Sequence, residues 1–192
     1  SGSSFGTYPG GKGANQAVAL ARLGAEVGMA GKIGDDVFGA SYLEIFGREG
    51  VDCRNVDIIS DCSTGVAIIE VDRSGENRIV IVGGANALVD REYVNRHIDR
   101  LANAQYGLFQ LETPLDAVAY AMETLGDRGC KIILDPAPVP TNGLPDELLK
   151  RAMYVTPNET EAEALTGIAV RDKDSARAAG DEKKKKGADA AI

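Results

Sequence analysis

The sequence predicts an α/β fold: a parallel sheet flanked by helices, with one small β hairpin. From Glu26 onward, apolar strand-like runs alternate with amphipathic helical runs, and this alternation is typical of a parallel sheet covered by helices. The alternation breaks once, between Thr64 and Val82, where two β-rich runs flank a polar turn. With 192 residues, 44% of them hydrophobic, the chain is long enough for one domain, expected over 1–192.

Local patterns place the elements in order. Helix 36–49 carries Val37, Tyr42, Leu43 and Phe46 on one side, and the hairpin turn 72–77 is rich in turn-forming residues. The other elements follow from the alternation of apolar and polar runs. The pattern predicts helices at 14–23, 36–49, 90–102, 114–125, 145–151, 158–166 and 173–186, and strands at 27–33, 56–59, 64–71, 78–82, 106–111, 131–134, 154–156 and 188–192.

Composition argues against several classes of protein. A net charge of −8 disfavours a general nucleic-acid or membrane surface, and no apolar run approaches the roughly 20 residues that span a bilayer. The three cysteines, Cys53, Cys62 and Cys130, contain no C-x-x-C pair, which indicates reduced thiols and a cytoplasmic location. The only histidine, His97, is expected at a solvated helix position.

The glycine-rich segment 6–13 is close to two nucleotide-binding motifs and matches neither. Gly13 stands where a P-loop needs a serine or threonine for magnesium, and Gln16 stands where a dinucleotide motif needs glycine. A flexible turn explains one or two glycines, but not a lysine set among three. Backbone amides, the Lys12 charge and the start of the next helix together predict a ligand cradle.

The segment 10–17, Gly-Gly-Lys-Gly-Ala-Asn-Gln-Ala, followed by Gly24 and Gly34, resembles the first signature of the ribokinase-like (PfkB) carbohydrate kinases. Further stretches are similar to that family in the same order, and the resemblance runs from Phe5 to the end of the chain. These stretches are 31–36, 64–67, 83–86, 110–114, 135–138 and 156–163.

The resemblance implies transfer of the ATP γ-phosphate, with Mg²⁺, to a pentose hydroxyl, ribose giving ribose 5-phosphate. On the matching positions, the sugar-binding residues would be Gly11, Lys12, Gly13, Asn15 and Glu112. Lid elements are expected at about 5–11 and 64–83, with Gly10 and Gly11 as the hinge. A monovalent cation is a further expected cofactor. Partners are expected to be ribose, ATP and a second copy of the chain, paired through the exposed edge of the lid.

The positions of Glu112, Asn158 and Glu161 can also be explained by the start of a neighbouring helix. Glu112 ends a predicted strand, where α/β sheets bind ligands, but it also precedes a helix with Thr113 as N-cap and Pro114 at the first position. Asn158 and Glu161 form a capping box, while the resemblance implies contact with the ATP phosphates and an indirect magnesium role for Glu161. Asp135 stays undecided.

The last predicted helix contains a motif similar to one of the family and a run of lysines. Its segment 178–181, Ala-Ala-Gly-Asp, looks like the family's catalytic motif, but amides in mid-helix are already paired. The catalytic aspartate is therefore expected beyond the C-terminus, with the chain truncated at both ends and inactive alone. The run Lys183–Lys186 is expected on a solvated face, or on a helix that has lost its packing partner.

Two alternatives remain open at the level of sequence. The chain is either part of a ribokinase-type enzyme or a non-catalytic or engineered sugar-binding fragment. Within the kinase class, the substrate is ribose, another sugar or a nucleoside. The lysine between Gly11 and Gly13 and the stretch 158–163 favour ribose through the resemblance.

Overall fold

A computed structural model describes residues 4–72, 74–185 and 190–191. The chain divides into two compact units, Ser1–Asn86 and Ala87–Ile192. Each unit contains helices packed on parallel strands, as the α/β pattern predicts. Within the described ranges, every helix is too short or too polar to cross a bilayer.

The first unit begins with two α-helices and a pair of parallel strands. The elements are α1 (Lys12–Arg22), β1 (Gly28–Gly34), α2 (Val37–Glu49) and β2 (Asp52–Ile59), with β1 parallel to β2. Ala17, Phe46 and Val51 form the buried centre between them. Arg22 and Glu49 join the ends of the two helices through an ion pair of 2.6 Å.

The hairpin follows in the same unit. Strands β3 (Val66–Val71) and β4 (Asn77–Val82) are antiparallel, with Val66 opposite Val82 and Val71 opposite Asn77. The Asp72 carboxylate shapes the turn by accepting hydrogen bonds from Ser74 and Glu76. A short 3-10 helix, Gly84–Leu88, follows the hairpin. The antiparallel excursion therefore forms where the sequence predicts it.

The second unit is a four-stranded parallel sheet with helices. Its four strands lie in chain order across the sheet, so strands that are consecutive in the chain are neighbours. Its most deeply buried side chains include Met122, Leu134 and Val155. The elements are α3 (Arg91–Leu101), β5 (Tyr106–Phe109), α4 (Leu115–Asp127), β6 (Lys131–Leu134), α5 (Asp146–Arg151), β7 (Tyr154–Val155), α6 (Glu159–Thr166), α7 (Lys173–Lys185) and β8 (Ala190–Ala191).

Some local predictions differ from the structure. Val37 is 77% exposed although the pattern placed it beside Phe46. The buried side of α2 passes through Gly39 and Phe46, and Val37 lies about 200° around the helix from Gly39. His97 is half-buried with its ring 4.8 Å from that of Tyr93, so it is more enclosed than the solvated position predicted.

Candidate functional site

The glycine turn lies at the N-terminus of α1. Gly11 is the N-cap and has a φ of 85°, a left-handed conformation that favours glycine. No described atom lies within 4 Å of where a Cβ would stand on Gly10 or Gly11, so the space beside this turn is open. The amide N–H groups of the first helical turn have no partners within the helix, and they make this end suited to a polar or anionic ligand.

The predicted sugar-binding residues of the first unit lie together at this turn. Lys12 is the first residue of α1, and Gly13 follows it. The backbone N–H of Asn15 donates to the carbonyl of Gly11 at 2.9 Å and closes the first helical turn. Lys12 and Gly13 are half-buried, whereas Asn15 is exposed. The structure thus brings an ammonium, a carboxamide and a glycine backbone to one helix end.

The turn also has a partner that sequence reasoning missed. The backbone N–H of Gly10 donates to the Tyr42 hydroxyl at 2.8 Å, and this hydroxyl donates to the Gly10 carbonyl at 2.9 Å. The helical pattern of α2 placed Tyr42 on the inner side but gave no indication of a polar contact 32 residues away.

The base of the hairpin is held by a hydrogen-bond cluster around Asp36. Its carboxylate accepts from the backbone N–H of Gly39, from the backbone N–H of Thr64 and from the Thr64 hydroxyl, at 2.8, 2.8 and 2.7 Å. The Thr64 hydroxyl in turn accepts from the N–H of Gly34 at 3.0 Å. These hydrogen bonds, from Gly39 first and then from Thr64, lower the pKa of Asp36.

Glycines make the close approach at the hairpin base possible. A Cβ on Gly34 would lie 2.2 Å from the Cys62 carbonyl oxygen, and one on Gly84 would lie 2.2 Å from that of Ser63. Real side chains do not tolerate such distances, so both positions require glycine. Gly34 in the segment 31–36 and Gly84 in the segment 83–86, both of which resemble family motifs, therefore have a structural reason.

In the second unit, three predicted positions follow neighbouring strands. Glu112 follows β5, Asp135 follows β6 and Asn158 follows β7. Two backbone bonds link these segments: Leu111 donates to Ala137 at 3.0 Å, and Thr156 donates to Leu134 at 3.0 Å. Because β5, β6 and β7 are adjacent and parallel, the three positions share the carboxyl edge of the sheet, where α/β proteins bind ligands.

The helix start after Glu112 differs from the prediction by one residue. Pro114 occupies the N-cap position and α4 begins at Leu115, whereas Thr113 and Pro114 were expected at the N-cap and first positions. Glu112 lies two residues before this cap, outside the helix, and its side chain is exposed.

The capping box at the start of α6 is confirmed. The Asn158 side chain accepts from the Glu161 N–H at 2.8 Å, and the Glu161 carboxylate accepts from the Asn158 N–H at 2.9 Å. The box uses one oxygen of the Glu161 carboxylate. Among the described residues, no group of three or more acidic, histidine or cysteine side chains forms a ready metal site. A single carboxylate fits Mg²⁺ when water and phosphate oxygens supply the other ligands.

The comparisons with known proteins decide the family. Residues 1–192 match the pfkB family carbohydrate kinases. The chain belongs to the pfkB family. It is 45% identical to a ribokinase of Haemophilus influenzae over 167 residues, which are 87% of this chain and 54% of that protein. It is 38% identical to a deoxyribokinase of Salmonella typhi over 170 residues, which are 88% of this chain and 55% of that protein.

Solved structures agree with the pfkB fold. The ribokinase of Arabidopsis thaliana, solved with ribose and ATP, superimposes with a TM-score of 0.84 at 31% identity. The match covers 93% of this chain and 58% of that one. The pfkB-family chain thus spans between half and two thirds of the length of these relatives.

The last helix of this pfkB-family chain differs in part from expectation. Ala178 to Asp181 lie inside α7, as predicted for a segment that is not an anion-binding helix start. Lys183, however, is only 1% exposed, so the prediction of a solvated face is wrong for this residue. Among the described side chains, its Nζ is the one buried nitrogen or oxygen without a hydrogen-bond partner. Lys186 lies outside the described residues.

The surroundings of Lys183 explain its unusual state. It lines a cavity of about 240 Å³ between α6 and α7, beside Ala162 and Ala179. Burial lowers the pKa of Lys183 to about 8, and the charge of Glu161 opposes this shift. The buried Lys183 ammonium therefore has no hydrogen-bond partner among the described residues, which is unfavourable for the charged form.

Proposed function

We propose that this chain is part of a ribokinase-type enzyme that transfers the γ-phosphate of ATP to a hydroxyl of D-ribose, giving ribose 5-phosphate. The observation that carries the proposal is the open glycine turn with Lys12 at the head of α1, in a pfkB-family chain. The ribokinase names of relatives at up to 45% identity support the same activity.

In this proposal the glycine turn binds the sugar. The backbone of Gly11 and Gly13 lets the sugar approach closely, and the Lys12 ammonium donates to its hydroxyls. The Asn15 side chain both donates and accepts, which suits two neighbouring hydroxyls. Glu112 is the proposed sugar-binding residue of the second unit, at the carboxyl edge of its sheet.

The nucleotide and metal roles belong to the start of α6. ATP supplies the phosphoryl group, and Mg²⁺ neutralises charge on its phosphates. Glu161 has a second carboxylate oxygen outside the capping box, which would orient water on the metal, and Asn158 would lie near the phosphates. A monovalent cation is an additional proposed cofactor without an assigned residue.

The proposal assigns no general base within the 192 residues, because Asp181 lies inside α7. The chain alone is therefore expected to bind ribose without turning over ATP. A sugar-binding role without catalysis is the alternative function. The likeness to a protein named deoxyribokinase makes 2-deoxyribose the first competing sugar to test, followed by other sugars and nucleosides.

The proposed location is the cytoplasm and the proposed assembly is a homodimer through the hairpin. Several large apolar side chains of β3 and β4 are exposed, and a second copy would cover them. A single monomeric species in sedimentation experiments over a wide concentration range would contradict the dimer. The exposed side chains are Ile68, Ile69, Val71, Ile79, Val80, Ile81 and Val82.

Calorimetry tests the sugar site. Ribose should bind, and Lys12→Ala and Asn15→Ala should each weaken binding roughly tenfold or more, since each removes a hydrogen bond to the ligand. Lys150→Ala, which removes an exposed lysine of α5, is the matched control and should leave the affinity unchanged. Unaltered ribose affinity in both site variants would rule out the glycine turn as the sugar site.

An ATP-consumption assay tests the catalytic part of the proposal. The 192-residue chain with ribose, ATP and Mg²⁺ should release no more ADP than the same mixture without ribose. Turnover at ordinary kinase rates would show that the general base lies within this chain. Stabilisation by adenosine but not by ribose in a thermal-shift panel would favour a nucleoside kinase.

A further inference from the structure

Tyr42 makes two hydrogen bonds to a single residue of the glycine turn. Its phenol oxygen accepts from the Gly10 N–H at 2.8 Å, and its hydroxyl hydrogen points to the Gly10 carbonyl at 2.9 Å. A tyrosine hydroxyl has one hydrogen to donate, and here Gly10 takes it. Both backbone polar groups of Gly10 are thus bound by one side chain, 32 residues further along the chain.

The turn has little else to fix its conformation. Residues 4–11 form neither helix nor strand, and nearby Phe5 and Tyr8 are 93% and 88% exposed. Gly10 and Gly11 have open space where a side chain would pack. Glycine backbones sample more conformations than those of other residues, so an unrestrained turn of this composition would be mobile.

Tyr42 itself is firmly placed. It lies in the middle of α2, where its ring is 5.9 Å from the ring of Phe46, which is 3% exposed. It also packs against the cluster that holds Ala17 of α1. The hydroxyl is therefore at a fixed position relative to the helix that the glycine turn precedes.

From this geometry we infer that Tyr42 is a positioning residue for the sugar site: its hydroxyl holds Gly10 so that the amides after Gly11 and the Lys12 side chain are preorganised for the ligand. The inference rests on the proposed function, because it assumes that the turn binds the sugar. A preformed turn binds more tightly, since less ordering is needed on binding.

The first measurement needs no variant. In the 192-residue chain, the amide of Gly10 should exchange with solvent more slowly than that of Gly11, because only the former donates to Tyr42. NMR detection of amide exchange reports the two positions separately. Equal exchange rates would overturn the inference.

The second measurement uses Tyr42→Phe, which removes the hydroxyl and keeps the ring against Phe46. The Gly10 amide should exchange about tenfold faster, and ribose should bind roughly 3- to 10-fold more weakly, the size expected for one lost hydrogen bond. Tyr8→Phe is the matched control, because Tyr8 is an exposed tyrosine of the same segment. It should change neither quantity.

The results of these measurements distinguish a wrong role for Tyr42 from a wrong proposed function. Absence of ribose binding by the unaltered chain would count against the proposed function, whatever the exchange rates show. If the unaltered chain binds ribose and Tyr42→Phe accelerates exchange of Gly10 without changing the affinity, the hydroxyl orders the turn but does not serve the sugar, and the inference is wrong. Unchanged exchange of Gly10 in Tyr42→Phe would also overturn it.

Discussion

The hydroxyl of Thr64 donates a hydrogen bond to the carboxylate of Asp36 across 2.7 Å, and so joins the start of the hairpin segment to the start of α2. Thr64 is 4% exposed, while much of β3 and β4 beyond it is open to solvent. The hairpin therefore has a firmly bonded base and a solvated outer part. Four predictions follow from this base and from the buried lysine of α7.

Replacing Thr64 with valine tests the bond directly. Thr64→Val keeps the shape of the side chain but leaves the N–H of Gly34 without its acceptor and takes one donor from Asp36. The expected loss in the free energy of unfolding is about 1–3 kcal/mol. Thr64→Ser keeps the hydroxyl and should lose clearly less. No loss for Thr64→Val in urea denaturation, or a loss for Thr64→Ser as large as that for Thr64→Val, would mean that the hydroxyl is not the main contribution of this side chain.

The lowered pKa of Asp36 predicts an acid-dependent stability. The hydrogen bonds from Gly39 and Thr64 favour the charged carboxylate, so the folded-state pKa lies below that of the unfolded chain. The stabilisation is present above the ordinary aspartate pKa of about 3.9 and is lost as the pH falls through the lower folded value. The stability difference between the unaltered chain and Asp36→Asn should therefore shrink on acidification.

The exposed neighbour Asp35 provides the control for this pH dependence. Asp35→Asn, which removes a carboxylate at an exposed position beside Asp36, is compared by the same urea titrations. A constant difference between the unaltered chain and Asp36→Asn down to pH about 2 would show that the Asp36 charge does not contribute.

Two glycines of α2 should respond oppositely to alanine. A Cβ at Gly39 would lie 2.2 Å from the Gly34 carbonyl oxygen, so Gly39→Ala should destabilise the chain by about 1–3 kcal/mol. A Cβ at Gly47 meets no described atom within 4 Å, so Gly47→Ala should stabilise it by about 0.5–1 kcal/mol through the better helix propensity of alanine. Thermal unfolding of Gly39→Ala and Gly47→Ala measures both changes in stability. Stabilisation by both would mean that α2 shifts easily away from β1.

Replacing Lys183 with methionine should stabilise the second unit. Methionine keeps an unbranched side chain of similar length and removes the nitrogen that has no hydrogen-bond partner. The free energy of unfolding should therefore rise by about 1–3 kcal/mol at pH 7. The folded-state pKa of about 8 lies below the value of about 10.4 for an unfolded lysine. As the pH rises from about 8 to about 10.4, the free energy of unfolding of the unaltered chain should therefore increase. The gain from Lys183→Met should then be smaller at pH 10 than at pH 7.

Lys150→Met is the matched control for this experiment. Lys150 pairs with Glu147 on the exposed side of α5, and its replacement should leave the free energy of unfolding nearly unchanged because exposed ion pairs contribute little. Urea unfolding at pH 7 and pH 10 compares the two variants. A gain from Lys183→Met that is the same at both pH values, or a loss at pH 7, would indicate that the amine is solvated.

Local chemistry explains which features were predictable. The capping box of Asn158 and Glu161 was predictable because both partners lie within one helical turn. The glycine turn before α1 was equally visible, since both the resemblance and the charge of Lys12 mark it. The order of strands and helices followed from periodicity, which the structure confirms.

Contacts between distant segments were harder to predict. Periodicity placed Tyr42 on the inner side of α2, but not its hydroxyl on a residue 32 positions away. A solvated face was expected for Lys183 because burial of an unpaired ammonium is costly, yet this residue is 1% exposed. The packing of α7 on α6 outweighs that cost, and no local pattern reveals such a balance.

The reciprocal bonds between Asn158 and Glu161 have a consequence for ion loading. Protein groups alone, without any ion, accept hydrogen bonds from the backbone N–H groups of Asn158 and Glu161. In the proposed role of Glu161, the carboxylate that orients water on a divalent cation is already held by the Asn158 N–H before the nucleotide binds. Binding of the cation and the nucleotide would then leave the helical signal of α6 unchanged.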